Sequence, residues 1–192
     1  MTATAEAIET AVQPEVTPFF DEPTNTLSYV VKDPGSDACA IVDSVLNLDY
    51  PSGTISFEGA DAIVEYIESN RLSVEWILET HVHADHLSAA PYIQQRLGGR
   101  IAIGQAISTV QETFGEIFCA GPGFARDGSQ FDVLLADGDS IDIGSMSGRA
   151  MHTPGHTPAC MTYVLGDAVF VGDTLFMPDG GTARADFPGG DA

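Results

Sequence analysis

The motif THVHADH at positions 80–86 is the most informative part of this sequence, since it holds three of the five histidines. It follows an apolar run typical of a buried strand and precedes helical signals, so it is predicted to be a loop at a strand's carboxyl end. In extended backbone His81 and His83 project to the same side, and a turn beyond them brings Asp85 and His86 to the same place. Three imidazoles and one carboxylate this close together are a dense set of metal ligands. The motif therefore predicts a metal centre.

Two shorter motifs lie downstream. HTPGHT at 152–157 holds the remaining two histidines, and its Pro-Gly pair forces a turn that points His156 inward. His152 is instead predicted to be a strand-end residue that packs on the core, with no ligand role. VGDT at 171–174 places Asp173 just past an apolar strand, and the preceding glycine lets the backbone approach a metal closely. Because Gly-Asp is also an ordinary turn, Asp173 is a candidate ligand only in combination with the histidine motifs.

Composition excludes several classes of protein. The chain has 192 residues and a formal net charge of −21, and 44% of its residues are hydrophobic, which suits one domain with a real core. Its 7 basic residues form no patch, so nucleic acid and membrane surfaces are not expected partners. It has no run long enough to span a membrane and no signal-peptide pattern, which predicts a cytoplasmic protein. The cysteines lack CxxC spacing and are predicted to be buried free thiols: Cys39, Cys119 and Cys160.

Hydrophobic periodicity predicts a layered α/β or α+β domain. Residues 1–15 are predicted to be a flexible leader and residues 16–192 to be the domain. The turn Asp33-Pro34-Gly35 predicts a hairpin, and Ser88 is expected to be the N-cap of a helix. Strands are expected at 26–31, 39–42, 74–79, 101–103, 149–152, 160–165 and 168–171, and helices at 60–70, 88–97 and 106–117.

In this order and at these spacings, THVHADH, TPGHT and GDT resemble the successive metal motifs of the metallo-β-lactamase superfamily. The resemblance covers residues 17–192 and implies an α+β fold, the αββα sandwich, with metals at the edge of two sheets. The family continues with further strands, a helix and a late histidine, so the domain is expected to lack its C-terminal elements. Three longer strings are most similar to persulfide dioxygenases and their glyoxalase II-like relatives: ETHVHADHLSAAPYIQQRLGG, HTPGHTPACMTYV and GDTLFMPDGGTARADFPGGD.

Similarity to persulfide dioxygenases implies one Fe(II) per chain and a reaction in which glutathione persulfide and O₂ give sulfite and glutathione. The residues that match the iron ligands are His81, His156 and Asp173. Two imidazoles and one carboxylate are the composition of the facial triad, which leaves coordination positions open. The residues implied to assist catalysis, by orienting ligands and hydrogen-bonding the water or oxygen at the metal, are His83, Asp85 and His86.

Two other hypotheses stay open. A binuclear zinc hydrolase of glutathione thioesters, the glyoxalase II type, would use three groups of ligands: His81, His83 and His156 for one zinc, Asp85 and His86 for the other, and Asp173 as the bridge. That arrangement needs a later histidine, and none follows His156. A non-catalytic fragment that still binds metal is the third hypothesis.

One further loop matches the family. Arg184 and Asp186, in TARAD, correspond to a charged loop near the family's active site. They are expected to brace that loop through a salt bridge on the substrate side. The sequence leaves a homodimer open.

Overall fold

The computed structural model describes residues 12–181, 185, 187–188 and 190. Within them the chain forms strands, helices and one 3-10 turn, Gly172–Thr174. The strands are β1 (Glu15–Asp21), β2 (Thr26–Lys32), β3 (Ala38–Val42), β4 (Val45–Asp49), β5 (Thr54–Ser56), β6 (Ser73–Leu78), β7 (Leu87–Ser88), β8 (Arg100–Gly104), β9 (Val133–Leu135), β10 (Gly148–His152), β11 (Met161–Leu165) and β12 (Ala168–Phe170). The helices are α1 (Glu58–Ser69), α2 (Ala90–Leu97) and α3 (Ile107–Ile117).

A mixed six-stranded sheet is the centre of the fold, in the order β1-β2-β3-β6-β8-β9. The first three strands pair antiparallel, and β3, β6, β8 and β9 pair parallel. Antiparallel β10, β11 and β12 form a second sheet, and β5, β4 and β7 form a small third one. One buried cluster joins α1 and α2 to the central sheet, and another joins that sheet to the second one. The layers are therefore helices, central sheet and second sheet.

Strand β3 shows why the central sheet has a core on both faces. All five of its residues are buried. Cys39 and Ile41 pack in the helix-side cluster, whereas Ala40 and Val42 pack in the cluster between the sheets. Such a strand is uniformly apolar instead of alternating, as expected for parallel strands covered on both sides.

Strand β6 departs from simple alternation. Val74 packs on the helix side and Trp76 between the sheets, although residues two apart in a regular strand share a face. The pairing with β3 shifts here, since Cys39 pairs with Val74 and Ala40 with Trp76. The extra residue is a bulge, which changes the face that the following side chains occupy.

Most predicted elements are confirmed, with boundaries moved by a few residues, and β1, β4, β5, β7 and β9 were not predicted. The N-cap prediction is wrong: α2 begins at Ala90, and its N-cap is Ala89. Ser88 belongs to β7, and its hydroxyl accepts the N–H of Ala90 at 3.0 Å while donating to Glu79 at 2.5 Å. The buried-thiol prediction holds for two cysteines and is wrong for Cys119, which is exposed just after α3.

The first eleven residues of the predicted leader lie outside the described part of the chain. Of the next three, Val12 accepts the backbone N–H of Asp167 at 3.0 Å, and Pro14 is buried. Arg184 and Asp186 also lie outside the described residues. Among the residues described, no helix is long and apolar enough to cross a membrane.

Candidate metal centre

The candidate site lies at the carboxyl edge of the parallel strands. Asp43 directly follows β3, and Glu79, Thr80 and His81 directly follow β6. In sheets of this kind, ligands bind beyond the carboxyl ends of the strands. His156 comes from the loop before β11, and Asp173 from the 3-10 turn after β12. The second sheet therefore completes a site that the central sheet begins.

Three groups of side chains bring their ligand atoms within 4.8 Å of one another. The first is His81, His156 and Asp173, the second is His83, Asp85 and His86, and the third is Asp43, Glu79 and His83. The predicted metal ligands thus form one of these groups, and the three predicted assisting residues form another. The described residues therefore contain His/Asp groups that could hold a metal ion.

His81 is held by a relay of hydrogen bonds that begins at Asp43. The Asp43 carboxylate accepts the Thr80 N–H at 2.7 Å and the Thr80 hydroxyl at 2.8 Å. Since that hydroxyl donates its hydrogen to Asp43, it accepts a hydrogen bond from His81 Nδ1–H at 3.0 Å. Nε2 of His81 then keeps its lone pair, and burial with the charge of His83 lowers the pKa of His81 to about 3. A neutral imidazole with one nitrogen anchored and the other free is the form that binds metals.

His83 lies against two buried acids that sequence reasoning missed. Its Nε2 is 3.3 Å from Asp43 Oδ1 and 3.6 Å from Glu79 Oε2. Burial by itself lowers the pKa of His83, but the charges and hydrogen bonds of the two acids outweigh it and raise the pKa to about 10. For Glu79, burial has the opposite effect and raises the pKa, because it disfavours the charged carboxylate. For Asp43 the charge of His83 overcomes burial and lowers the pKa. The side chain of His83 is therefore almost fully buried and is paired with both acids.

His86 presents an unused ligand atom. Its Nδ1–H donates to the Leu87 carbonyl at 3.1 Å, and its buried Nε2 has no hydrogen-bond partner among the described residues. Burial and the charge of His83 lower the pKa of His86. A buried lone pair without a partner costs free energy unless something binds it. This nitrogen is therefore suited to bind a metal, whereas the lone pair of a solvated histidine would bind water.

His156 and Asp173 lie side by side across the two loops of the second sheet. His156 is buried, its Nε2 is 3.5 Å from Asp173 Oδ2, and its ring lies 5.0 Å from that of His81. Burial raises the pKa of Asp173, against the opposing charge of His156. His152 is exposed, contrary to the prediction that it packs on the core, and its Nε2–H donates to the Pro158 carbonyl at 2.9 Å.

A cleft of about 1220 Å³ opens onto the site. Its walls carry apolar side chains from β1, β2, β12 and the segment after the 3-10 turn, and its floor carries His83, Asp85, His156 and Asp173. The described lining includes no lysine or arginine. A substrate would therefore meet apolar contacts and a histidine-rich floor.

Asp43 and Glu79 could have been found from the sequence. Each is an acid directly after an apolar strand, as Asp173 is, and the β3-β6 pairing places both at the same edge. Asp43 also adopts a left-handed backbone, with φ of +50°, which aspartate tolerates better than most residues. The signal was present, but only the parallel pairing shows that the two acids converge on His83.

Comparisons with known proteins show the family of this chain. The family described as "Metallo-beta-lactamase superfamily" matches residues 21–192, so the chain belongs to that superfamily and has its mixed α/β fold. A probable metallo-hydrolase of Burkholderia pseudomallei is 58% identical over 91% of this chain. Glyoxylase B2 of Dictyostelium discoideum is 48% identical over 93% of it. The persulfide dioxygenase ETHE1 of Homo sapiens is more distant, at 29% identity over 90% of the chain.

A solved structure gives the same fold. The crystal structure of ETHE1 from Myxococcus xanthus matches 92% of this chain with a TM-score of 0.68 and 25% identity. The chain spans 63% of the length of the Burkholderia relative, 61% of the Dictyostelium relative and 64% of the Myxococcus structure.

Proposed function

We propose that this chain carries the metal site of an iron-dependent persulfide dioxygenase that converts glutathione persulfide and O₂ to sulfite and glutathione. The observation that carries the proposal is the group of His81, His156 and Asp173, two imidazoles and one carboxylate with ligand atoms within 4.8 Å. That composition is the facial triad of non-haem iron oxygenases. The likeness to persulfide dioxygenase ETHE1 of Homo sapiens supports the substrate class.

The position of His83 favours one metal over two. The ring of His83 lies 4.1 Å from that of His81, but its ligand atom falls in the groups of Asp43 and Glu79 and of Asp85 and His86 instead of the group of His81 and His156. Its Nε2 faces Asp43 at 3.3 Å and Glu79 at 3.6 Å, so this nitrogen is directed at two acids in the present arrangement. The proposed metal count is therefore one per chain.

When bound in such a triad, Fe(II) supplies redox chemistry and open coordination positions. The proposed overall reaction is GSS⁻ + O₂ + H₂O giving GSH + HSO₃⁻. The terminal sulfur is oxidised and O₂ is reduced, the S–S bond breaks, and the glutathione sulfur leaves as a thiol that takes one proton from water.

The chain's own residues have distinct parts in this proposal. Thr80 and Asp43 orient His81 through the relay described above. His83 lines the cleft beside the proposed ligands, and Asp43 and Glu79 hold its Nε2. Asp85 is braced from two sides, because its carboxylate accepts from Thr26 at 3.4 Å and its carbonyl accepts from Tyr50 at 2.9 Å. Apolar side chains of the cleft, among them Leu27, Phe170 and Phe176, offer contacts to the substrate next to these residues.

Elemental analysis of anaerobically purified protein, combined with O₂ uptake on glutathione persulfide, tests this proposal. We expect about one iron per chain, persulfide-dependent O₂ consumption and sulfite in equal amounts. Iron-loaded protein that consumes no O₂ with persulfide would overturn the dioxygenase assignment. The same assay with oxidised glutathione, which lacks the terminal sulfur, is the control.

One observation favours a second candidate, a binuclear zinc hydrolase of glutathione thioesters. The free Nε2 of His86, grouped with His83 and Asp85, is the kind of ligand a second metal would use. The names of the Burkholderia and Dictyostelium relatives point the same way. Two zinc ions per chain, thioester hydrolysis and no O₂ uptake would establish this candidate in place of the first.

A further inference from the structure

Three threonine hydroxyls meet between the two loops that carry His156 and Asp173. Thr153 Oγ1 lies 2.9 Å from Thr162 Oγ1 and 3.2 Å from Thr174 Oγ1. The Thr174 hydroxyl also reaches the Thr153 carbonyl at 3.5 Å. Each hydroxyl can donate once and accept, so the three satisfy one another in a chain.

Two of these threonines lie close in sequence to the candidate metal ligands. Thr153 lies three residues before His156, and Thr174 is the residue directly after Asp173. The bond between them therefore joins the loop of one candidate ligand to the turn of the other. Thr162 lies on β11 and carries no ligand next to it, so its bond to Thr153 anchors the pair to the second sheet.

The same turn is fixed on its opposite side. Gly172 has a φ of +49° and packs against Thr80, such that a Cβ at Gly172 would lie 2.8 Å from the Thr80 Cβ. Thr80 in turn holds His81. The turn that presents Asp173 is thus confined between the His81 loop, through Gly172, and the His156 loop, through Thr174.

We propose that Thr153 and Thr174 are positioning residues that set the separation between His156 and Asp173 and so determine how tightly the site binds a metal. The proposal rests on the metal-ligand roles proposed above for these two residues. A ligand pair from different loops loses affinity when either loop drifts, because the metal must then pay for ordering both. Groups that orient metal ligands typically change affinity 10- to 100-fold when removed.

Metal binding by the apoprotein, measured with Zn²⁺ and Co²⁺ in competition with a chromophoric chelator, tests the proposal without any assay of activity. Thr174→Val removes the hydroxyl and keeps the shape, and we expect a 10- to 100-fold loss of affinity. Thr174→Ser restores the hydroxyl and should restore most of the affinity. Thr153→Val breaks the same link from the other loop and should reproduce the loss, which covers the case in which one valine variant folds poorly.

Thr162→Val is the matched control. It removes a hydroxyl from the same cluster but leaves the bond between Thr153 and Thr174, so it should lower stability in urea while metal affinity stays within about threefold of wild type. Equal affinity loss in Thr162→Val and Thr174→Val, or wild-type affinity in Thr174→Val, overturns the proposal. If the wild-type chain binds neither Zn²⁺ nor Co²⁺, both the positioning role and the proposed metal centre are wrong. Selective loss of affinity in Thr174→Val, together with iron-loaded wild-type protein that shows no persulfide-dependent O₂ uptake, supports the positioning role and rejects only the dioxygenase assignment.

Discussion

Replacing His83 with alanine separates the structural part of this residue from its part in metal binding. In the folded protein, His83 is the partner of two acids with almost fully buried side chains, Asp43 at 3.3 Å and Glu79 at 3.6 Å. His83→Ala leaves both acids in the interior without their cation. Breaking a buried ion pair by removing one partner typically costs about 3–5 kcal/mol, because the remaining charge is uncompensated.

That cost converts to a measurable shift in melting temperature. For a domain of about 150–250 residues, 1 kcal/mol shifts Tm by roughly 2–4 °C, so we expect His83→Ala to lower Tm by about 6–20 °C. Glu79→Gln is the control, since it keeps the side-chain volume and the hydrogen bond from Ser88, and its cost should stay below about 1.5 kcal/mol. Urea unfolding of metal-free protein gives the free energies directly.

A double-mutant cycle refines the test. Asp43→Asn combined with His83→Ala removes both charges, so the pair should cost at least about 1 kcal/mol less than the sum of the single variants. Simple additivity would refute the argument that the two groups stabilise each other as ions. Metal analysis of the same His83→Ala protein separates the two functions: the dioxygenase keeps its iron and loses rate, whereas the hydrolase loses metal.

Three further predictions concern other parts of the chain. Asp173→Ala should abolish iron retention and O₂ uptake together, and unchanged iron content by elemental analysis would rule out Asp173 as a ligand. Gly172→Ala places a Cβ against Thr80 in backbone that disfavours side chains, so it should lower Zn²⁺ affinity as well as stability, both measurable in one titration series. Asp33 accepts hydrogen bonds from Gly35, Ser36 and Ser145. These bonds lower the pKa of Asp33 from 3.8 to about 2, and the bond from the Ser145 backbone N–H has the largest effect. The contribution of ionised Asp33 to the free energy of unfolding is therefore complete above about pH 4 and is lost as the pH falls towards 2. Asp33→Asn should lower the free energy of unfolding by about 2–3 kcal/mol at neutral pH and flatten the acid part of the pH profile measured by urea unfolding.

Much of the fold followed from local patterns. The apolar runs of β3, β6 and β11 and the amphipathic spacing of α1 were sufficient to predict those elements, because burial on one or both faces shapes the sequence directly. Strand β1 was missed, since it contains Pro18 and alternates only weakly between exposed and half-buried positions. Ser88 was misassigned because its hydroxyl serves Glu79, a partner nine residues away in sequence. Such contacts leave no periodic signal.

Sequence motifs alone indicated the superfamily and the residue types of the candidate ligands, since metal chemistry requires imidazoles and carboxylates at short spacings. They also brought His81, His156 and Asp173 into one hypothesis before any geometry was known. Only the tertiary structure decided the state of the other histidines. Parallel pairing of β3 with β6 delivers Asp43 to His83, whereas Glu79 contacts His83 from four positions earlier in the same segment. The Nδ1 of His86 bonds to the Leu87 backbone, and its buried Nε2 has no hydrogen-bond partner among the described residues. The contact between Asp43 and His83 depends on strand register, which connects residues 40 positions apart in the chain and which no local spacing encodes.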